Sequence, residues 1–162
     1  MGVTPAVRLL DAAGVAYGVH EYERGDELRD FGREAAEALG IDPDQVFKTL
    51  LVDVEAAGPA PASTVCVVVP VSCMVSMKAV ASAVGAKRAT MCDPAAAERM
   101  TGYVVGGISP FGQRRRLVTV CDESVDLFDA VYVSGGRRGL DVSVAPGDLV
   151  RLLDAVVAPV TA

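Results

Sequence analysis

Apolar and polar positions change period repeatedly along the chain, and each change predicts an element. Leu9 and Leu10 follow Thr4-Pro5, a hydroxyl cap with proline in the first turn, and Gly14 closes the run, which predicts a helix. Residues 16–22 alternate like a strand, and residues 33–39 read as a helix stopped by Gly40. Asp42-Pro43-Asp44-Gln45 is a second capped start, with Gln45 at the capping-box position, leading into the apolar run 46–54. Gly58-Pro59-Ala60-Pro61 is a turn before a buried strand over 64–69 that Pro70 ends.

The second half continues the alternation. Residues 76–84 predict a helix ending at Gly85, 87–91 a short strand, and Asp93-Pro94 a capped helix that stops near Gly102. Residues 117–121, 130–134 and 140–144 predict three strands, the last two joined by a glycine-rich turn over 134–139. A final helix follows Pro146 and runs through Leu153. Elements mixed in this order imply an α+β fold. The expectation is a curved, mixed, mostly antiparallel sheet, partly open and barrel-like, with helices packed around it.

Composition sets bounds on this picture. A chain of 162 residues fits a single domain over 1–162, and at this length its core needs no metal or disulfide. An apolar fraction of 51% with 22% charged residues excludes disorder as the main state. No apolar run approaches the ~18 residues of a membrane span. The start of the chain lacks a basic region followed by an apolar core, so the expected compartment is the cytoplasm. Cys66, Cys73, Cys92 and Cys121 form no C-x-x-C pair, and His20 is the single histidine. Neither a metal site nor a cofactor is expected, and the thiols read as small buried hydrophobes.

The net charge of −6 hides an asymmetry. Residues 1–55 carry 5 basic against 12 acidic side chains, residues 56–121 carry 7 against 2, and residues 122–162 carry 3 against 7. Arg114-Arg115-Arg116 and Arg137-Arg138 concentrate the positive charge in two short segments. An acidic protein with such segments is a poor DNA coat, yet it can grip a local polyanion because arginine pairs bidentately with phosphate. Solvated loop charge is the competing reading.

Two places could carry chemistry. In a strand over 46–54, Lys48 has the parity of Leu50, Val52 and Val54 and so emerges on the apolar face. It either snorkels out at the strand end or opens into a cleft. Thr49 points to the opposite face and reaches the same pocket only through an irregular strand start or its backbone. The second place is Gly106-Gly107-Ile108-Ser109-Pro110-Phe111-Gly112. Gly107 and Gly112 have P-loop spacing, but Gln113-Arg114 replaces the required Lys-Ser/Thr and Pro110 removes a donor, which excludes that reading. What remains is either a plain turn or adjacent glycines whose backbone N–H groups can meet an oxyanion. A Ser–His or Cys–His pair would have to use His20, and no G-x-S-x-G elbow occurs.

Four ordered segments, residues 4–10, 44–51, 101–110 and 132–141, resemble the YbaK/EbsC family, bacterial aminoacyl-tRNA editing deacylases related to the editing domain inserted in prolyl-tRNA synthetases. Within that family the chain is most similar to the Cys-tRNA(Pro) deacylase branch. The resemblance implies a free-standing enzyme that removes cysteine from tRNA(Pro), with Cys-tRNA(Cys) a second candidate substrate. It implies no cofactor and no metal. The implied partner is the acceptor end of tRNA(Pro), with prolyl-tRNA synthetase a second candidate partner and neither membrane nor DNA involved. Matched by position, Lys48 corresponds to the family's essential lysine. Tyr22, Phe31, Thr49, Ser134 and Asp141 correspond to residues lining its aminoacyl pocket, and Gly106 to the glycine at the scissile ester, with Gly107 beside it. Arg114, Arg115, Arg116, Arg137 and Arg138 are the candidate tRNA contacts. Val118 and the stretch 72–75 depart from the family pattern, outside the matched pocket positions.

The same resemblance implies that the substrate's own thiol attacks its ester carbonyl, so the enzyme need supply only a near-attack geometry. Three rivals remain at this point: hydrolysis of another mischarged ester such as Ala-tRNA(Pro) by water, a non-catalytic module gripping the acceptor end, and an ordinary cysteine hydrolase.

Overall fold

Side-chain caps start three of the helices, as their sequences predict. The computed structural model describes residues 3–23, 31–59 and 61–162. Thr4 accepts the Val7 N–H at 3.2 Å to open α1 (Pro5–Ala13). Ser76 accepts from Ala79 at 3.2 Å at α3 (Met77–Ala83), and Asp93 from Ala96 at 3.1 Å at α4 (Pro94–Thr101). Each such cap contributes about 1 kcal/mol. α2 (Phe31–Leu39) begins two residues earlier than its pattern suggests, and α5 (Pro146–Leu153) follows Ala145 without a side-chain cap. The Asp42 start yields a single 3-10 turn over Pro43–Gln45. Gln45 closes no capping box there; its Nε2 donates to the Ala130 carbonyl at 2.8 Å, which ties the turn to a distant strand.

Eight strands occur among the described residues: β1 (Tyr17–Glu21), β2 (Phe47–Ala56), β3 (Ser63–Pro70), β4 (Ala86–Met91), β5 (Thr119–Asp122), β6 (Val131–Arg137), β7 (Leu140–Val144) and β8 (Val156–Ala158). They form two sheets where one curved sheet is expected. One has the order β1-β7-β6 and is antiparallel; the other has the order β4-β2-β3-β5-β8, with parallel pairing at β3–β5 and β5–β8. An isolated bridge between Val46 and Tyr132 joins them. The fold is α+β, mostly antiparallel and not closed. β8 has no sequence signal because it is three residues long and largely exposed.

The larger sheet is covered on both faces, which explains the unbroken apolar run of β3. Val65, Val67 and Val69 pack with Val52, Val120 and α3's Val80. Cys66 and Val68 face the other way, among Phe47, Val133, Val142, α1's Leu10 and α5's Leu149. Three cysteines are buried as expected, but Cys73 is half-exposed beyond the end of β3. Among the described residues no helix is long and apolar enough to cross a membrane.

Candidate active site

A cavity of about 360 Å³ opens where the two sheets part. Val46, the residue before β2, bridges Tyr132 of β6; β2 then runs alone on that edge until Cys92 donates its N–H to the Leu51 carbonyl at 3.0 Å and the β4 ladder begins at Val52. Thr49 lies two residues before Leu51, so its backbone polar groups point to the same unladdered edge. Lys48, Thr49 and Leu51 all line the cavity because it wraps around this open edge and meets both strand faces. Lys48 keeps the predicted parity with Val52 and Val54 and is half-buried. Thr49 also has a buried hydroxyl oxygen with no hydrogen-bond partner among the described residues.

The second wall comes from the three-stranded sheet. Alternation sends Val131, Val133, Val142 and Val144 into the core and leaves Tyr132, Ser134, Asp141 and Ser143 on the other face. Asp141 stands opposite Ser134 in the β6–β7 pairing, and both line the cavity with Tyr22. Asp141 is 4% exposed. Burial pushes its carboxyl up to about 7, opposed by the hydrogen bond from Tyr22, which favours the ionised form. Phe31 opens α2, but its side chain lies outside what the structure describes; Gly32 and Ala35 of that helix line the cavity.

The third wall is the loop after α4. Gly107 donates its N–H to the Val104 carbonyl at 2.8 Å, and Gly106 has φ +89°, the pattern of a type II turn with glycine at its third position. Gly106 lines the cavity with Val105 and Ile108. Gly107 instead lies against the β6–β7 hairpin, where a Cβ would come within 2.8 Å of the Arg137 Cα and the Arg138 nitrogen. Its N–H is thus committed to the turn, which leaves Gly106 as the glycine facing the cavity.

The basic residues divide into two kinds. Arg114, Arg115 and Arg116 are exposed, and the backbone N–H groups of the first two cap the end of α4 by donating to Thr101 and Met100 at 2.9 and 3.0 Å. Arg137 and Arg138 are engaged within the protein. The Arg137 guanidinium pairs with Glu21 at 2.9 Å, and Arg138 Nε donates to the Val105 carbonyl at 2.8 Å.

Sequence reasoning missed the wall formed by Met91, Cys92, Pro94 and Ala97. The Asp93-Pro94 cap marks the strand-to-helix corner, but nothing in it indicates that this corner faces β2. His20 Nε2 lies 2.8 Å from Ser143 Oγ, and its ring packs on Tyr132. This serine–histidine pair sits outside the cavity lining. Burial raises the Cys66 thiol to about 11 and the Cys121 thiol to about 12, which keeps both protonated near neutral pH.

Comparisons with known proteins show the family and the fold. The aminoacyl-tRNA editing domain profile matches residues 27–152. A candidate Cys-tRNA(Pro)/Cys-tRNA(Cys) deacylase, EbsC of Enterococcus faecalis, is 30% identical over 158 residues, covering 98% of this chain and 93% of its own. The crystal structure of a hypothetical protein, APE2540, has a TM-score of 0.83 at 25% identity, over 98% of this chain and 99% of its own. A candidate trans-editing enzyme for prolyl-tRNA synthetase shares the fold, with a TM-score of 0.81 at 23% identity over 99% of each chain.

Proposed function

The chain belongs to the aminoacyl-tRNA editing domain family, and from that premise we propose that it is a trans-editing deacylase that removes cysteine from mischarged Cys-tRNA(Pro). It is an aminoacyl-tRNA deacylase, an enzyme that cleaves the ester joining an amino acid to the terminal ribose. The observation that carries the finer reading is the convergence of Lys48, the unpartnered Thr49 hydroxyl, Asp141 and the Gly106 turn on one small cavity. Such a cavity can hold and orient an ester without supplying a nucleophile.

In this reading the substrate supplies it. The cysteine thiol gives up its proton and its sulfur attacks the ester carbonyl carbon. The carbon–oxygen bond to the ribose then breaks, the ribose oxygen takes up a proton, and the amino acid leaves as a thiolactone that water later opens. Lys48 holds the terminal ribose and ester, and the Gly106 N–H stabilises the developing oxyanion. Requiring a thiol as nucleophile separates cysteine from alanine and serine, whose size differences are worth only ~1–3 kcal/mol in an apolar pocket. Selection by thiol also extends to Cys-tRNA(Cys), the second substrate in the name of the Enterococcus protein.

The partner is the acceptor end of tRNA(Pro), with prolyl-tRNA synthetase as the source of mischarged substrate and the cytoplasm as the compartment. Residues 1–162 act as one editing domain. The test is deacylation of tRNA(Pro) charged with Cys, Ala or Ser. Release of cysteine alone is the expected result. Comparable release of alanine or serine would replace the thiol mechanism with hydrolysis by water.

A further inference from the structure

Val105 is held through both of its backbone polar groups by charged side chains from two different elements. Its N–H donates to Glu98 Oε2 on α4 at 2.9 Å, and its carbonyl accepts from Arg138 Nε on the β6–β7 hairpin at 2.8 Å. That carbonyl belongs to the peptide that continues into Gly106. Peptide bonds in the described chain are trans, so the Val105 carbonyl and the Gly106 N–H point in opposite directions from one rigid plane. Fixing the carbonyl fixes the N–H.

This peptide needs fixing. It is the central peptide of the Val104–Gly107 turn, whose closing hydrogen bond is made by the outer residues and leaves the central plane free. Type I and type II turns differ mainly by rotation of that plane. Gly106, at φ +89°, pays little to reach either side because it has no Cβ. Left alone, the plane could rotate and carry the Gly106 N–H away from the cavity.

The hairpin tip that bears Arg138 is itself anchored. Arg137 pairs with Glu21, Tyr22 donates its N–H to the Gly139 carbonyl at 3.0 Å, and the β6–β7 register slips between Ser134 and Arg137. Gly107 lets the turn meet the hairpin backbone to backbone.

We propose that Arg138 is a positioning residue: through the Val105 carbonyl it locks the Val105–Gly106 peptide so that the Gly106 N–H faces the reacting ester. The guanidinium also polarises that peptide, which strengthens the N–H as a donor. Glu98 steadies the turn from the other side. The inference rests on the ester-cleaving role given to Gly106 above.

The test uses the full chain with Arg138→Met, which keeps the stem and removes the donors, and Arg138→Lys, which keeps the charge. In Arg138→Met, kcat on Cys-tRNA(Pro) should fall about tenfold to a hundredfold, toward the loss seen when an oxyanion donor is removed, with KM and the salt dependence of tRNA binding unchanged. Arg138→Lys should recover part of kcat. The backbone amide resonance of Gly106 gives a readout free of substrate: sharp in the wild type, shifted or exchange-broadened in Arg138→Met. A raised KM with a flattened salt slope and unchanged kcat would make Arg138 a phosphate contact and overturn the proposal. An unmoved Gly106 resonance would overturn it as well. If the wild type released no cysteine while the Gly106 resonance responded as expected, the lock would stand and the proposed reaction would fail.

Discussion

Asp141 of β7 faces Ser134 of β6 across the antiparallel pair, and both line the cavity. The buried carboxyl holds its proton up to about 7, against an ordinary value of 3.8. Between these values the unfolded chain is ionised and the folded chain is not. The stability contributed by this residue is therefore complete below about 3.8 and is lost as pH rises to about 7. Asp141→Asn keeps the shape and removes the titration. Denaturant melts from about pH 4 to about pH 8 should show the variant gaining on the wild type as pH rises, by an amount on the order of a few kcal/mol. Stability curves that stay parallel would show that the carboxyl is not strained by burial.

Thr49 offers a test in which stability and activity move in opposite directions. Its hydroxyl oxygen is buried without a partner among the described residues. Thr49→Val keeps the volume and removes that unsatisfied group, which should raise stability by about 1 kcal/mol. If the hydroxyl meets the substrate, kcat/KM for Cys-tRNA(Pro) should fall in the same variant. Unchanged turnover would leave Thr49 contributing through its backbone alone.

The protein thiols should prove dispensable for chemistry. Cys66 and Cys121 are buried and held protonated, and burial, with nearby Asp53, also raises the thiol of Cys92. Single changes to Ala should cost about 1–2 kcal/mol at Cys66 and Cys121, less at half-exposed Cys73, and leave deacylation measurable in each case. Cys92 lines the cavity, so it is the decisive one. A well-folded Cys92→Ala protein without turnover would point to a nucleophile from the enzyme.

Arg114, Arg115 and Arg116 stand exposed at the end of α4. The helix dipole favours cations there, which gives the run a structural reason to exist. If it also meets the acceptor stem, replacing all three with Ala should weaken tRNA binding and reduce the slope of affinity against salt by up to about three phosphate contacts. An unchanged slope would restrict these residues to solvated loop charge.

Much of this architecture is local and could be read from the chain. Thr4, Ser76 and Asp93 cap helices because a short polar side chain reaches a backbone N–H three residues on, a relationship contained in the sequence itself. Lys48 could be placed on its strand face because alternation is also local. The split into two sheets could not, since it depends on where β2 exchanges β6 for β4, partners more than thirty residues away. The glycine-rich stretch expected as a turn over 134–139 turns only at Arg138 and Gly139; its first part is an irregular extension of β6 to Arg137, because its shape is set by pairing with β7. The same limit explains Arg138: Val105 lies 33 positions away, and only the folded chain brings them together.

Lys48 carries the most direct test of the proposed function. It lies on the stretch of β2 that has left β6 and not yet met β4, and it lines the cavity there. A snorkelling lysine contributes mainly its stem, so Lys48→Met would then cost little stability and no activity. A lysine that holds the ribose and ester gives a different result: Lys48→Met folds normally and loses deacylation. Lys48→Arg should restore it only in part, because a planar guanidinium does not occupy a small cavity as a compact ammonium does. Circular dichroism, melting temperature and turnover must come from the same samples, so that lost activity is separated from lost fold. Full turnover in folded Lys48→Met would remove Lys48 from the mechanism and leave the Gly106 turn and the substrate thiol to account for catalysis.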